Sequence, residues 1–344
     1  MDSEAIALAQ KIRIQFEVFK QQKQFSQIAK LLTYALQVIP REYNQHIFGY
    51  IPSIFREIVI LDPHQIQPTD VFIGEPVIYK IYFPEQQTLY NLPFFYLFCY
   101  FKDNSQQLDI YFQSANQDYL DFSVDDYYLN QQKVYFEGCL SAFKNHNISV
   151  ISVGDPGQFI PGITSSYYAG STNFNFVKLI AEVLESLAKI AGISSHETLL
   201  FGSSAGTFGA LLTSTYFQQK VNVLAVNSQI FLHNRKQLMQ TLFGISDRQT
   251  LLEKYGSQIC CLHRFQEELS SVPNIYILAN INDHLYSRNW EFYQMYIKIY
   301  TAQGINNQSV FDSYYGIQGH GRPRVLALKN KIRIAREILT MKSS

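Results

Sequence analysis

Residues 199 to 212 read LLFGSSAGTFGALL. An apolar run ends at a glycine, two serines intervene, and helix-compatible residues resume with no room for a loop. A strand must therefore turn directly into a helix, and the residues flanking the turn must lack a Cβ because the two backbones pass close by. Gly202, Ser203, Ser204, Ala205 and Gly206 fit the G-x-S-x-G pattern, in which the central serine is pushed into a strained, exposed position. With glycine and serine each near about 7% of residues, such a pentapeptide arises by accident in a chain of this length roughly one time in ten. Its weight comes from the strand before it and the helix after it.

The surrounding chain supplies that setting. NISVISVGDPG (147–157) is an apolar strand closed by an Asp-Pro-Gly turn, as expected of a strand covered on both faces. TNFNFVKLIAEVLESLAKIAG then carries Val177, Ile180, Leu184 and Leu187 at helical spacing, with a polar start and Gly192 past its end. Further strands are predicted at 198–201, 221–226, 274–280 and 308–315, a helix after the turn to about Phe217, and a last helix from about Pro323 to Met341. Upstream, the runs Val77 to Phe83, Phe94 to Phe101 and Leu108 to Phe112 read as strands. Residues 4 to 38 show helical spacing with a break near Gln22 to Phe25, and Pro63, Pro68, Gly74 and Pro76 place a boundary near residue 65. The expectation is an α/β chain, with a short N-terminal helical extension over 1–65 and a domain over 66–344 built on a mostly parallel central sheet with helices on both faces.

Composition narrows the function classes. Lysine plus arginine equals aspartate plus glutamate, 28 each, so the broad basic field that a phosphate backbone requires is absent and nucleic acid is not an expected partner. The longest purely apolar run, Leu92 to Phe101, is ten residues, about half of what a spanning helix needs, so no transmembrane segment is expected. The N-terminus carries charges throughout and lacks the order of a signal peptide, which points to a cytoplasmic location, with peripheral attachment to a membrane assembly left open. Cys99, Cys139, Cys260 and Cys261 show no C-x-x-C spacing and are expected to be reduced core thiols.

A serine hydroxyl becomes a nucleophile only when a base takes its proton, and the base needs an acid to orient it. In a sheet of this kind the order along the chain is serine, acid, histidine, the last two on loops after later strands. Of the four histidines that follow Ser204, only His320, in GIQGHGRP, falls between the last predicted strand and the last helix. The acid expected is Asp283, at the carboxyl end of NIYILANIND, with Asp312 as the fallback and His284 as a loop residue beside the pocket. Spacings such as H-E-x-x-H are missing, and no metal site is expected. The developing negative charge calls for two donors: the N–H of Ala205 at the helix start, and an N–H after LDIYF, from Gln113 or Ser114.

Taken in order, LDIYFQSA, ISVISVGDPG, SSYYAGS, LLFGSSAG, ILANINDHLY and GIQGHG resemble a group of bacterial α/β-hydrolase-fold proteins of surface-glycan biosynthesis. The group includes capsular polysaccharide biosynthesis proteins and the O-acetyltransferase component of the accessory Sec system. The similarity spans roughly residues 105 to 325. Phe112-Gln113-Ser114 and Tyr167-Tyr168-Ala169-Gly170 stand where members typically show Phe-Ser-Gly and Trp-Tyr before a glycine. The resemblance implies the α/β-hydrolase fold and acyl transfer on carbohydrate: Ser204 would take an acetyl group, with acetyl-CoA as a candidate donor and no bound cofactor, and pass it to a sugar hydroxyl. With water as acceptor the same machinery is an esterase acting on an acyl ester. Tyr167, Tyr168 and Tyr286 are candidates for stacking on sugar faces. The alternative is a non-catalytic scaffold of the same fold in a polysaccharide or glycoprotein export or assembly system, with the N-terminal helices as its protein-binding element.

Overall fold

The computed structural model describes residues 3–38, 55–86, 89, 92–115, 136–138, 142–143, 145, 147–159, 163, 165–232, 235–267 and 272–340. Nine strands form one sheet among these residues. They are β1 (Arg56–Ile60), β2 (Pro76–Tyr82), β3 (Phe94–Tyr100), β4 (Gln107–Phe112), β5 (Ile148–Val153), β6 (Thr198–Ser203), β7 (Asn222–Val226), β8 (Asn274–Asn280) and β9 (Val310–Tyr314). Their order across the sheet is β1-β2-β3-β5-β4-β6-β7-β8-β9. Only β3 runs against its neighbours; every other pairing is parallel. This is the α/β-hydrolase fold. After β4 the chain goes to β5 on one side, then crosses to β6 on the other, so β4 and β6 are neighbours whose onward connections diverge. Such a divergence opens a crevice at the carboxyl ends of the two strands, where α/β sheets place ligands.

The central strands β4 to β8 are buried along almost their whole length because both faces are covered, whereas β1 and β9 at the edges are partly exposed. Alternate residues divide between two cores. Ile110, Leu200, Val223, Ile275 and Ile277 point to one face, against α3 (Phe176–Ile190) and α4 (Ala205–Ser214). On that face also pack α5 (Lys236–Phe243), α6 (Arg248–Ile259), α7 (Cys261–Glu267) and α8 (Tyr286–Thr301). Tyr111, Leu199, Phe201, Leu224, Tyr276 and Leu278 point to the other face, in a core shared with Ala335 and Leu339 of α9 (Val325–Leu339). Ile12 and Phe16 of α1 (Ser3–Gln21) and Ile28 of α2 (Phe25–Val38) are buried in that same core. Much of the apolar surface of the N-terminal helices is thus spent inside the molecule. β1 pairs with β2 although it lies before residue 65, so the sheet begins ahead of the expected boundary. Cys99, Cys260 and Cys261 are buried free thiols, and Cys139 lies outside the described residues.

Helix α9 is fastened by one buried ion pair. Arg336 Nη2 meets Asp109 of β4 and also donates to Leu108 O at 3.1 Å, while Nη1 donates to Glu197 O at 2.8 Å. Removing one partner leaves a buried charge with nothing to offset it. Asp109→Ala is therefore expected to cost about 3–5 kcal/mol in urea unfolding, and pairing it with Arg336→Met to restore much of that loss.

Candidate active site

Ser204 joins β6 to α4 with φ 53° and ψ −120°. An L-residue holds such a conformation only where its surroundings compel it, at a cost of about 1–3 kcal/mol. The glycines show the compulsion. A Cβ on Gly202 would lie 2.4 Å from Gly206 O, and one on Gly206 would lie 2.3 Å from Phe112 O at the end of β4. Strand, turn and helix can approach this closely only with glycine at both positions. The Ser204 N–H donates to Val226 O at 3.0 Å, and its carbonyl accepts from Thr207 N–H at 3.2 Å and Gln229 N–H at 3.3 Å.

The structure brings Ser204, His320 and Asp283 together. Ser204 Oγ lies 2.8 Å from His320 Nε2, and His320 Nδ1 lies 2.7 Å from Asp283 Oδ2. The Asp283 side chain is only 1% exposed. Its second oxygen accepts from Leu285 N–H at 2.9 Å, and His284 Nδ1 lies 3.1 Å from that same oxygen. A carboxylate accepts and does not donate, so Nδ1 carries the imidazole proton and Nε2 is left to receive the serine's. Asp312 is placed elsewhere: in β9 it accepts from Tyr276 hydroxyl, from Lys331 Nζ at 2.5 Å and from Ser313 N–H at 2.8 Å. Burial pushes its carboxyl up, but the bonds from Lys331 and Tyr276 outweigh that and hold it below its usual range. Asp283, His284 and His320 are close enough to share a metal ion, all their ligand atoms lying within 4.8 Å. A metal there would compete with the hydrogen bonds just described.

The loop around His320 is held by carboxamides. Buried Asn280 lies with Nδ2 3.1 Å from Gly316 O, 3.1 Å from Gln318 O and 2.7 Å from Gly319 O. Buried Asn227, in the left-handed region at φ 47°, donates to Gly321 O at 2.9 Å, and Tyr314 hydroxyl reaches the same carbonyl at 2.5 Å. The glycines serve close approach, since a Cβ on Gly316 would meet Asn280 Nδ2 at 2.8 Å and one on Gly319 would meet Asn282 O at 2.8 Å. Asn280→Asp turns a donor into an acceptor facing several carbonyls. It is expected to shift the imidazole and lower kcat by about 10²-fold, measured beside a thermal melt to show that the fold survives.

Ala205 is the first residue of α4, so its N–H has no carbonyl one turn earlier and points from the positive end of the helix. The other two expected donors are engaged. Gln113 N–H donates to Val153 O at 3.4 Å, and Ser114 N–H donates to Glu137 Oε2 at 3.0 Å. Glu137, buried, also takes Ser114 Oγ–H at 2.6 Å and pairs with Arg322 Nη1 at 2.6 Å. Arg322 Nε in turn donates to Ser203 Oγ at 2.9 Å, tying the His320 loop to the residue beside Ser204. Arg322 stands two residues after His320, and nothing in the local sequence marks its role.

Tyr168 is a correction. It is fully buried, its hydroxyl donates toward Val153 O (3.1 Å) and Gln113 O (3.2 Å), and Gly209 is bare because a Cβ there would meet the Tyr168 ring at 2.3 Å. A ring so placed packs the core and cannot stack on a sugar. Tyr286 begins α8, half-buried with its ring 5.7 Å from that of Phe311. Tyr167 is nearly buried, and its hydroxyl donates to Gln229 Oε1 at 2.5 Å.

No protein-family model matches the chain, and no curated protein matches it in sequence. Solved structures do. The capsule O-acetyltransferase of Neisseria meningitidis serogroup A aligns at a TM-score of 0.50 and 14% identity, over 70% of this chain and 91% of that one. A glycosylation-associated (Gap123) complex from Streptococcus agalactiae aligns at 0.49 and 13%, over 76% and 45%. An esterase of Thermogutta terrifontis aligns at 0.46 and 15%, over 76% and 96%. The first of these, at 14% identity, bears on the fold alone.

Proposed function

We propose that this chain is a serine-dependent acyltransferase or esterase that places an acetyl group on, or removes one from, a hydroxyl of a bacterial surface polysaccharide. The reading rests on one observation, the continuous hydrogen-bonded chain from Ser204 Oγ through His320 to buried Asp283. In that geometry Ser204 Oγ attacks the ester carbonyl while its proton passes to His320 Nε2, and Asp283 stabilises the imidazolium. The tetrahedral oxyanion takes the Ala205 N–H. Collapse returns the proton to the departing alcohol, or to the departing thiol when acetyl-CoA is the donor, and leaves an acyl-enzyme. A sugar hydroxyl or water then attacks that ester, and the outcome depends on whether the glycan excludes water. The carbohydrate assignment draws on the motif resemblance, and the fold shared with a capsule O-acetyltransferase is compatible with it. Acetyl-CoA is the donor to try first.

The test is incubation with acetyl-CoA or an aryl acetate, with and without capsule-type oligosaccharides, followed by mass spectrometry of the glycan. Acetyl appearing on the sugar, or leaving an acetylated one, is expected. A folded protein that neither cleaves nor transfers acetyl under any of these conditions overturns the proposal.

A further inference from the structure

The residue that sits beside the reacting atoms without a role so far is Gln229, just beyond β7. Its backbone N–H donates to the Ser204 carbonyl at 3.3 Å, so its main chain is anchored on the nucleophile turn itself. Its side-chain Nε2 lies 3.4 Å from His320 Nε2, the nitrogen that also faces Ser204 Oγ. The orientation of a glutamine amide follows from its partners. Here the Oε1 end receives Tyr167 hydroxyl at 2.5 Å and Arg235 Nη2 at 3.0 Å. A guanidinium can only donate, so the oxygen must face Arg235 and the NH₂ must face His320.

Tyr167 is itself fixed. Arg235 lies 5.1 Å above its ring, and Tyr167 and Tyr168 both hold positive φ, 57° and 61°. Buried Asp155, just after β5, organises that strained turn by accepting from Ser165 Oγ at 2.5 Å, from Ser166 N–H at 2.8 Å and from Gly157 N–H at 2.8 Å. Burial pushes the Tyr167 phenol up to about 12, so it stays a donor across the neutral range. A donor held this firmly against the catalytic nitrogen, at a separation long for a direct hydrogen bond, is placed to serve an oxygen that comes between them.

We infer that Gln229 is a catalytic residue whose Nε2–H binds the alcohol oxygen of the ester, with Tyr167 and Arg235 as its positioning residues; this rests on the serine-ester reading above. In acylation the Ser204 Oγ–C bond has formed and the bond from carbon to the alcohol oxygen breaks. The electron pair goes to that oxygen, which takes the proton from His320 Nε2 while Gln229 donates a hydrogen bond to it. In deacylation the incoming hydroxyl occupies the same place and gives its proton to His320 as its oxygen bonds the acyl carbon. Gln229 therefore helps most when the alcohol is a poor leaving group, as a sugar is, because more charge then develops on the oxygen.

The experiment compares kcat/KM, which reports acylation, for p-nitrophenyl acetate and for an alkyl acetate, in wild type, Gln229→Met and Tyr167→Phe. Gln229→Met keeps the shape and removes the donor. The expected result is a loss of about 10²-fold on the alkyl ester with little change on the aryl ester, and a smaller loss of the same kind in Tyr167→Phe. If Gln229→Met fails to fold, Tyr167→Phe alone carries the comparison. Equal losses on both esters, or none on the alkyl ester, overturn the proposal while leaving the serine chemistry intact. Wild type inert toward both esters and toward a fluorophosphonate overturns the serine-ester reading, and this inference with it.

Discussion

Ser204→Ala and His320→Ala are each expected to lower the kcat of ester cleavage by about 10⁶-fold, and the double variant by little more than either alone. The reason is the 2.8 Å contact between Oγ and Nε2: a serine without its base stays a neutral hydroxyl, and a base without its serine has no proton to take. What remains is expected to come from the Ala205 N–H, in its proposed role, and from substrate binding. Both residues are partly exposed, so thermal unfolding should change little. Kinetics on an aryl acetate with melting curves for each variant check this, and losses that multiply in the double variant would contradict it.

Asp283→Asn is expected to cost about 10⁴-fold in kcat with the fold retained. Asp283 Oδ1 accepts from Leu285 N–H at 2.9 Å, a donor that an amide can satisfy only with its oxygen. The NH₂ of the asparagine is thereby turned to His320 Nδ1, which must then accept. The proton moves to Nε2, and the nitrogen facing Ser204 can no longer receive one. Asp283→Glu would test a different matter, the length of the side chain; Asp283→Asn isolates the tautomer. A loss under about tenfold would mean that Asp283 has little part in orienting the base.

That Ser204, Asp283 and His320 stand at turns after strands could be read from the chain because each position depends on local order. LLFGSSAGTFGALL fixes a strand, a turn and a helix within fourteen residues, Asp283 lies just past an apolar strand, and His320 lies between the last strand and the last helix. Less was legible where aromatic residues fit both kinds of element. In α8, Trp290, Phe292, Tyr293 and Tyr296 lie in a stretch whose bulky rings suit strands as well as helices, and only packing on β8 and β9 decides. In α6 a glycine, Gly256, and the non-helical Tyr255 interrupt the period. There the glycine makes room for His263, whose Nδ1 would lie 2.6 Å from a Cβ. β1 was hidden behind the prolines that follow it.

The supporting shell was illegible for another reason. Asn227, Gln229, Asn280, Glu137 and Arg322 act through partners far away in sequence, as when Asn227 reaches Gly321 or Arg322 reaches Ser203. Single polar residues near strand ends carry no periodic signal, and their role exists only once the crevice between β4 and β6 has formed. Tyr168 illustrates the converse: a tyrosine in a loop beside a predicted site looks like a binding wall until the backbone folds it inward against Gly209.

The most direct test is to treat the protein with a fluorophosphonate and locate the adduct by peptide mass spectrometry. One phosphonyl group on Ser204, lost in Ser204→Ala and formed far more slowly in His320→Ala, is the expected result. A folded protein that takes no label, or takes it at another serine, would contradict the assignment of Ser204 as an activated nucleophile.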